Sequence, residues 1–354
     1  MLNAKYKVIG VMSGTSLDGI DLVSVTFVFE DGWTFKIHEF ETIKYNSDWK
    51  LKLKDLVNIS INEIKTIDEE YTLYLAEVIN DFIEKHNIKD IDAVCSHGHT
   101  ALHQPDKGIT YQIGNLPKLT PLVKQKVVCD FRTQDVQLGG QGAPLVPIGD
   151  KLLFSEYDFC INLGGFANIS TELDSQRIAY DICPVNIVLN HYARKLGLDF
   201  DNNGHLASTG KIIDSLLSKL NALKYYSQIP PKSLGLEWVN ETIFLLIDSY
   251  NLQIEDILRT FVEHVSCQIS SEIENNKNSN ILITGGGVFN KFLINRIKSS
   301  AKGQIVIPSK EIIEYKEALI FGFLGVLKLR NQVNCLRSVT GAKKDHSSGK
   351  ILIV

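Results

Sequence analysis

Three hydrophobic segments of the chain run directly into glycines that are accompanied by hydroxyl or amide side chains. They are residues 8–16, 161–168 and 281–287. Glycine lets successive backbone N–H groups approach an anion without a side chain in the way, so such turns can form anion-binding nests. One turn alone is weak evidence, because most glycines that end a strand only make a turn. Three together indicate a nucleotide whose phosphates are held by two lobes.

The first glycine turn differs from two familiar phosphate-binding motifs. Residues 14–19 lack the Lys-Ser/Thr pair of a Walker A loop, and strand rather than helix character follows them. No G-x-G-x-x-G segment opens a helix after a strand, so a dinucleotide-binding fold has little support. A β-hairpin that carries a phosphate loop at its turn resembles instead the arrangement of the actin, hexokinase and acetate kinase superfamily.

A second group of residues with potential chemistry is formed by His97, His99 and His103. On a strand His97 and His99 share a face, and neutral imidazoles with a third ligand can hold zinc. No acidic or cysteine partner lies at a suitable spacing, which argues against a metal here. The six cysteines form no C-x-x-C pair, which argues against a disulfide framework or a thiolate zinc site.

Length and composition indicate a globular protein of about two domains. The chain has 354 residues, of which 44% are hydrophobic and 22% charged, enough to bury a sizeable core. The net charge of −4 gives no electrostatic basis for binding nucleic acid. No apolar run reaches membrane-spanning length, and strand character begins too early to leave room for a signal peptide. We therefore expect a cytoplasmic protein without membrane association.

The predicted elements alternate between strands and helices, which indicates the α/β class. No segment repeats at a fixed period. The natural division lies near residues 148–158 and predicts lobes at 1–150 and 151–354, with the last helix free to pack back on the first lobe. Strands are expected at residues 7–11, 21–29, 33–40, 93–96, 159–163 and 280–284, helices at 72–86 and around 257–269, and a loop at 139–147.

Residues 10–21, with the sequence GVMSGTSLDGID, resemble the opening signature of the anhydro-N-acetylmuramic acid kinases. Further segments resemble the same family in the same order, so that the resemblance covers nearly the whole chain. These segments are residues 96–98, 103–105, 130–132, 139–147, 162–170, 231–235, 285–290 and 339–342.

The resemblance implies a two-lobed actin-like fold with an interlobe nucleotide cleft. It also implies a reaction of bacterial cell-wall recycling, in which ATP and water convert 1,6-anhydro-N-acetylmuramic acid into N-acetylmuramic acid 6-phosphate. The implied cofactors are ATP and Mg²⁺, the implied partner is the sugar, and a homodimer is left open.

Asp181 is the catalytic residue that the resemblance implies. It matches the general base in the family motif D-x-G-P-x-N, which here has the sequence DICPVN over residues 181–186. Cys183 replaces the glycine of that motif. Because cysteine does not easily adopt a positive φ, this replacement raises a question about the local backbone. Outside such a match, an isolated aspartate is by default a helix N-cap or turn residue.

The resemblance and the residue types also imply binding residues. Asp18 suits water-mediated contact with Mg²⁺, although a simple turn role is an equal alternative. The planar guanidinium of Arg132 suits the lactyl carboxylate of a muramic acid, with a structural ion pair as the alternative. The nucleotide-binding set is Gly14, Thr15, Ser16, Leu17, Asp18, Gly19, Ile20, Asp21, Gly164, Gly165, Asn168, Gly285, Gly286 and Gly287. The sugar-binding set is His97, His99, Arg132, Gln141 and Asn186.

Three functions from different classes remain open at this point. The first is the anhydro-sugar kinase. The second is an actin-like sugar sensor that binds nucleotide without turnover, which Cys183 favours and Asp181 disfavours. The third is a histidine-ligated metallohydrolase. Release of ADP with the sugar separates the first two, and metal analysis tests the third.

Overall fold

The computed structural model describes residues 4–14, 16–273 and 279–353, and these form two compact units. Unit 1 contains residues up to Leu153 and the segment Tyr315–Val354, and unit 2 contains Phe154–Glu314. The two sheets belong to separate units, and helices follow or connect the strands of each sheet. The α/β class predicted from the sequence is confirmed.

The described strands are β1 Lys5–Ser13, β2 Gly19–Phe29, β3 Trp33–Lys44, β4 Ala93–Gln104, β5 Ile109–Ile113, β6 Val127–Cys129, β7 Phe159–Leu163, β8 Phe166–Leu173, β9 Gln176–Pro184, β10 Asn280–Thr284, β11 Gln304–Val306 and β12 Lys350–Leu352. The described α-helices are α1 Ser47–Asp55, α2 Ile61–Lys85, α3 Leu119–Val123, α4 Thr133–Gln137, α5 Pro147–Leu153, α6 Asn186–Arg194, α7 His205–Thr209, α8 Asp214–Asn221, α9 Leu236–Trp238, α10 Leu245–Asp248, α11 Ile254–Ile273, α12 Lys291–Ser300, α13 Lys310–Leu329 and α14 Arg337–Thr340.

The sheets of the two units share one strand order. In unit 1 the order is β12-β6-β4-β1-β2-β3, with β5 added on β4, and in unit 2 it is β11-β10-β7-β8-β9. Each sheet begins with three consecutive antiparallel strands, and a strand from later in the chain then pairs in parallel with the first of them. The sequence shows no repeat, so this common topology is visible only in the structure.

The long helices bury the apolar faces that the sequence predicts. Helix α2 begins at a capping box, in which Ser60 and Glu63 exchange side-chain and backbone hydrogen bonds. Its buried face includes Leu75, Ile79 and Phe82, which pack in the core of unit 1. Helix α11 supplies the corresponding buried face in unit 2. Both helices are thus held mainly by the packing of one face against a core.

The last forty residues belong to unit 1, whereas the expected boundaries assigned residues 151–354 to a second lobe. The reason is the packing of α13 and β12. Helix α13 is buried over most of Tyr315–Leu327, and β12 pairs antiparallel with β6. Phe323 of α13 contacts the rings of Phe27 and Trp33 at centroid distances of 5.2 and 5.0 Å. The sequence left open that the last helix packs back in this way.

Within the described ranges, no helix is both long enough and apolar enough to span a lipid bilayer.

We predict that Gly10→Ala destabilises unit 1. A Cβ at Gly10 would overlap the backbone carbonyl of Ala318, so β1 and α13 would have to separate. Overpacking of this kind lowers the free energy of unfolding by about 1–3 kcal/mol. The thermal unfolding midpoint measures the effect.

Gly322→Ala is the matched control, because this glycine lies on the helix side of the same contact. A Cβ there would lie 3.5 Å from the Cα of Gly10, an ordinary van der Waals distance. Alanine also favours the helix interior over glycine by about 0.5–1 kcal/mol. Equal midpoints for the two variants would contradict the proposed close approach.

Candidate active site

The first glycine turn joins β1 to β2 in unit 1. The N–H of Leu17 donates to the carbonyl of Gly14 at 3.4 Å, and Leu17 has a φ of +60°. Ser16 and Asp18 are exposed, whereas Gly19 and Ile20 are buried at the start of β2. Thr15 lies outside the described residues. The turn thus presents the polar side chains of Ser16 and Asp18 to solvent.

Asp21 lies two residues after Gly19 on β2, and its side chain is hydrogen-bonded to the neighbouring strand. Its Oδ1 accepts a hydrogen bond from the hydroxyl of Thr42 on β3 at 2.6 Å, and the same hydroxyl lies 3.2 Å from the hydroxyl of Tyr315. A carboxylate with a fixed protein partner of this kind has a structural role in unit 1, whatever contact it makes with a nucleotide.

His99 lies in a buried hydroxyl network behind the first turn. Its Nδ1 is 3.0 Å from the hydroxyl of Ser13, which also bonds the hydroxyls of Tyr45 and Tyr71. Burial lowers the pKa of His99 to about 4, so the imidazole is neutral at physiological pH. His99 therefore fixes the end of β1 from the neighbouring strand.

His97 orients Arg132. The Nε of Arg132 donates to Nε2 of His97 at 2.8 Å, and Nδ1 of His97 lies 2.8 Å from the carbonyl of Gly98. Burial and the Arg132 charge hold the pKa of His97 well below its usual value, which agrees with a neutral ring that accepts at Nε2. Arg132 also donates Nη1 to the carbonyl of Gly142 at 2.6 Å, so Nη2 is the nitrogen left for a ligand among the described contacts.

The expected loop at residues 139–147 is held from outside by one side chain and one backbone carbonyl. Oδ2 of Asp135 accepts from the N–H of Gly142 at 2.7 Å, and the carbonyl of Thr340 accepts from the N–H of Gln141 at 2.8 Å. Thr340 belongs to the segment 339–342, one of the segments that resemble the kinase family. These contacts fix the backbone that carries Gln141, whose side chain is exposed.

Glu317 is a candidate that the sequence analysis missed. It lies on α13, is accessible to solvent, and yet has a pKa raised by desolvation, with the Arg132 charge opposing the shift. An accessible but desolvated carboxylate is typical of a recessed functional position. The signal in the sequence is an acidic residue between Lys316 and the apolar run of α13 that begins at Ala318.

The second glycine turn joins β7 to β8 in unit 2 and caps α6. The carbonyl of Gly165 accepts from the N–H groups of Val185 and Ile187, and that of Gly164 accepts from the N–H of Asn186. The side chain of Asn186 lies 3.4 Å from the carbonyl of Leu163. The first N–H groups of α6 are therefore occupied by the turn.

A row of polar side chains crosses the sheet of unit 2 beside this turn. Asn162 on β7 is opposite Asn168 on β8, and Asn168 is opposite Asp181 on β9. Asn168 is exposed, and Asn162 and Asp181 are half-buried. Directly opposite residues on antiparallel strands have side chains within reach of one another. The fold thus brings the predicted base next to a residue of the second glycine turn.

Asp181 is held by a segment that resembles the kinase family at residues 231–235. Its Oδ2 accepts from the N–H of Leu234 at 2.9 Å, and its own N–H donates to the carbonyl of Lys232 at 3.0 Å. The hydroxyl of Tyr225 donates to the backbone carbonyl of Asp181 at 2.6 Å. Burial raises the pKa of the Asp181 carboxyl, and the Leu234 N–H opposes the shift.

Lys232 anchors that segment to the core helix of unit 2. Its Nζ lies 3.3 Å from Oε1 of Glu272 on α11, and the hydroxyl of Tyr180 donates to Oε2 of Glu272 at 2.8 Å. The ammonium also lies 5.1 Å from the ring centroid of Tyr225. A cavity of ≈ 450 Å³ in unit 2 is lined by Tyr225, Leu234 and Trp238, among others, and two of these, Tyr225 and Leu234, contact Asp181.

Cys183 fits its position without a positive φ. It is fully buried on β9, and it is absent from the described residues that have a positive φ. The register between β8 and β9 shifts at this point, with Ala167 opposite Cys183 and Asn168 opposite Asp181. The extra residue, Ile182, forms a β-bulge, a feature that often lies next to active sites. The doubt about this backbone therefore disappears.

The third glycine segment follows β10. Gly285 has a φ of +85°, and a Cβ there would lie 2.5 Å from Oδ1 of Asn162 and 2.8 Å from the carbonyl oxygen of Leu163. Gly286 is exposed, and no atom lies within 4 Å of its Cβ position. Gly287 is buried against the side chain of Leu163. The three positions thus differ in why they carry glycine. Position 285 has a left-handed backbone and close neighbours, position 287 packs on Leu163, and position 286 is open.

The histidine-based metal site is not formed. His97 contacts Arg132, whereas His99 contacts Ser13, because Gly98 between them has a φ of +73° and interrupts the strand alternation. Among the described residues, the metal-ligating group of three side chains with closely spaced ligand atoms is elsewhere, at Asp135, Cys335 and His346. The histidines that the metallohydrolase hypothesis requires as ligands therefore do not form a metal site.

The repeated strand order and the glycine segments after β1, β7 and β10 define a two-unit α/β protein with glycine turns at the ends of these strands. Residues 6–353 match the family model described as anhydro-N-acetylmuramic acid kinase. This chain belongs to the anhydro-N-acetylmuramic acid kinase family.

Curated relatives of the same family match over their whole length. The anhydro-N-acetylmuramic acid kinase of Mannheimia succiniciproducens is 33% identical, with 98% of this chain and 99% of the relative covered. That of Sulfurovum sp. is 31% identical, with 99% of each chain covered. A solved xylulose kinase from Lactobacillus acidophilus matches with 13% identity and a TM-score of 0.47, covering 91% of this chain and 89% of that one, which is too remote to carry an argument.

We predict that Cys183→Gly folds but is less stable than the parent. The substitution removes a fully buried side chain from the core of unit 2 and adds backbone freedom to a strand. Loss of buried volume together with this freedom lowers the free energy of unfolding by about 1–3 kcal/mol. Cys183→Ala keeps the Cβ and is expected to lose less, as thermal unfolding measures. A more stable glycine variant would show that the thiol strains the bulge.

Proposed function

We propose that this chain is an ATP-dependent kinase that converts 1,6-anhydro-N-acetylmuramic acid and water into N-acetylmuramic acid 6-phosphate. The reaction opens the 1,6-anhydro bridge and belongs to peptidoglycan recycling. We also propose that the protein acts in the cytoplasm, as expected from the sequence. Membership of the family supports the kinase over a sensor without turnover.

The observation that carries the proposal is the environment of Asp181. A general base works best when its pKa is shifted towards the operating pH, and burial raises the pKa of this carboxyl. The hydrogen bond described for the carboxylate uses Oδ2, so Oδ1 is the oxygen available to a water molecule. The Leu234 N–H keeps the carboxylate in one orientation while the proton is taken up.

The chemistry of Asp181 joins the two halves of the reaction. Oδ1 accepts a proton from water as the water oxygen bonds to the anomeric carbon, and the bond from that carbon to O6 breaks. The electron pair of the broken bond stays on O6, which becomes the nucleophile for phosphoryl transfer. When bound, ATP would supply the γ-phosphoryl group that O6 receives, with ADP as the leaving group.

The residues of unit 1 proposed for the nucleotide fit it in different ways. Ser16 is exposed beside Gly14, and the exposed carboxylate of Asp18 suits Mg²⁺ through water. The buried Gly19 and Ile20 would act through the backbone, as would Leu17, and Asp21 through the carboxylate that Thr42 orients. Thr15 stays in the proposed set as a residue outside the described ranges.

In unit 2 the proposed nucleotide residues are the exposed Gly165 and Asn168, the adjoining Gly164, and the segment after β10. The open space at the Cβ position of Gly286 is where a ligand can approach the backbone. Gly285 and Gly287 shape that approach through their close packing on β7.

The residues proposed for the sugar are led by Arg132. Its Nη2 suits the lactyl carboxylate, and His97 holds the guanidinium in place. His99 acts through Ser13, and Gln141 is presented by an anchored loop. Asn186 supports the turn at Leu163. The cavity beside Asp181 has a volume in the range of small-molecule pockets and an aromatic lining that suits a sugar ring.

We predict that Gly285→Ala weakens ATP binding strongly, whereas Gly32→Ala, in the turn between β2 and β3 of unit 1, does not. The first substitution forces a side chain into a left-handed backbone position against Asn162 and Leu163, and the second meets no atom within 4 Å. Calorimetric titration with ATP measures both affinities, with circular dichroism as the check on folding. Parental affinity in a folded Gly285→Ala variant would remove this segment from the nucleotide site.

We predict that Asp181→Asn lowers turnover strongly but leaves nucleotide binding intact. Asparagine keeps the size of the side chain and can accept from the Leu234 N–H, but it cannot take a proton. Loss of a general base lowers kcat by about 10²–10⁴-fold. Release of ADP with the anhydro sugar measures turnover, and calorimetry measures ATP affinity. Near-normal turnover would overturn the mechanism, and lost ATP binding would move Asp181 to a phosphate or metal role.

The pH profile gives a second check on Asp181. The carboxyl must be ionised to accept a proton, so kcat rises with pH through its raised pKa and then levels off. The Asp181→Asn variant is expected to lack this rise. Cys183→Gly is the neighbouring control, because it changes the bulge and leaves the carboxylate in place, so it should keep both turnover and the profile.

A further inference from the structure

Three buried side chains of unit 1 bring an oxygen, a sulfur and a nitrogen ligand together away from the residues proposed for catalysis. They are Asp135 on α4, Cys335 and His346, which we call the Asp–Cys–His cluster. Oδ1 of Asp135 lies 3.0 Å from Sγ of Cys335 and 3.5 Å from Nε2 of His346. All three ligand atoms lie within 4.8 Å of one another. The three residues are 0%, 2% and 5% exposed.

The backbone builds this cluster by a local pairing. Cys335 and His346 form an isolated antiparallel bridge, in which each N–H donates to the carbonyl of the other at 3.1 Å. Residues paired in this way place their side chains on the same side of the bridge. Asp135 comes from a distant part of the chain and meets both. Its Oδ2 is held by the Gly142 N–H at 2.7 Å, which leaves Oδ1 directed at the sulfur and the nitrogen.

His346 shows that hydrogen bonds alone leave the cluster incomplete. Its Nδ1 lies 3.1 Å from the carbonyl of Lys344, which can only accept, so Nδ1 carries the proton. In the neutral ring, Nε2 then presents a lone pair to the carboxylate of Asp135. Across the described ranges, the buried Nε2 has no hydrogen-bond partner. A buried polar atom of this kind requires a ligand or a charge.

We propose that the Asp–Cys–His cluster is a Zn²⁺ site. Zinc takes thiolate, imidazole and carboxylate ligands at distances of about 2.0–2.3 Å in tetrahedral geometry. Neighbouring ligand atoms in such a site are about 3.3–3.5 Å apart, and the two separations from Oδ1 of Asp135, 3.0 Å to Sγ and 3.5 Å to Nε2, are close to this. The Thr340 hydroxyl, 2.7 Å from Oδ1 of Asp135, or a water supplies the fourth position.

Charge and second contacts favour a cation here. A thiolate and a carboxylate together balance the two charges of zinc, so the occupied cluster is neutral and can remain buried. Histidine ligands of metals commonly donate their other ring N–H to a backbone carbonyl, as Nδ1 of His346 does to Lys344. The carboxylate is oriented by Gly142 in the same manner.

Zinc binding releases the thiol proton. Burial and the Asp135 carboxylate raise the pKa of Cys335, so in the absence of metal the thiol is protonated and donates to Oδ1. Formation of the zinc–sulfur bond replaces the S–H bond, and the proton leaves to solvent. The alternative is a metal-free cluster, in which Sγ of Cys335 and the hydroxyl of Thr340 donate to Oδ1 of Asp135.

The test uses the full chain purified without a histidine tag. Zinc is measured by elemental analysis after dialysis, and the chelator-treated protein is then titrated with Co²⁺. A thiolate bound to Co²⁺ gives a charge-transfer absorption band, which oxygen ligands such as Asp18 do not give. We expect about one zinc ion per chain and a band that saturates at about one equivalent of Co²⁺. The thermal unfolding midpoint should fall when the metal is removed.

Cys335→Ser and His346→Ala are expected to lose the zinc and the band, and their midpoints should not respond to chelator. Cys267→Ser is the matched control, because Cys267 lies on α11 in unit 2, and it should behave like the parent. The titration of the parent does not depend on any variant folding. The proposal is overturned if the parent gives no charge-transfer band with Co²⁺, or if Cys335→Ser keeps it.

Discussion

The contact between β1 and α13 supports most of unit 1. Gly10 has no side chain, so the backbone of the strand reaches the carbonyl of Ala318 on the helix. A second close approach is found at Gly325, whose Cβ position would overlap the sulfur of Cys95 on β4. Helix α13 therefore lies directly on two neighbouring strands. The segment that follows α13 in the chain, including β12 paired with β6, starts from the position that this contact gives the helix.

Asp181 shows how a catalytic group can conflict with stability. An ionised carboxylate loses hydration when it is buried, which is the physical meaning of its raised pKa. One backbone N–H from Leu234 offsets only part of that loss. The supporting segment needs its own anchor, which its buried Lys232 provides by an ion pair with the half-buried Glu272 on α11. A position that served stability alone would carry a neutral side chain here.

Local patterns predict much of the fold and some of the candidate site. The strands β7 and β10 have the predicted bounds, because short apolar runs that end in glycine have few alternatives. The bulge at Ile182 was not predictable, since it depends on register against β8. The absence of a C-x-x-C pair also hid the Asp–Cys–His cluster. Asp135 and Cys335 are 200 residues apart, and only the return of the chain after α13 joins them.

The backbone of Gly142 links the Asp–Cys–His cluster to Arg132. Its N–H donates to Asp135 of the Asp–Cys–His cluster, and its carbonyl accepts from Arg132, the leading candidate for the sugar carboxylate. Gly142 has a φ of +69°, and a Cβ there would lie 2.9 Å from Cγ2 of Val136. The backbone at Gly142 therefore has little room to rotate. A shift of Asp135 is therefore transmitted to Arg132 through the backbone of one residue. The buried cluster fixes the guanidinium without touching it.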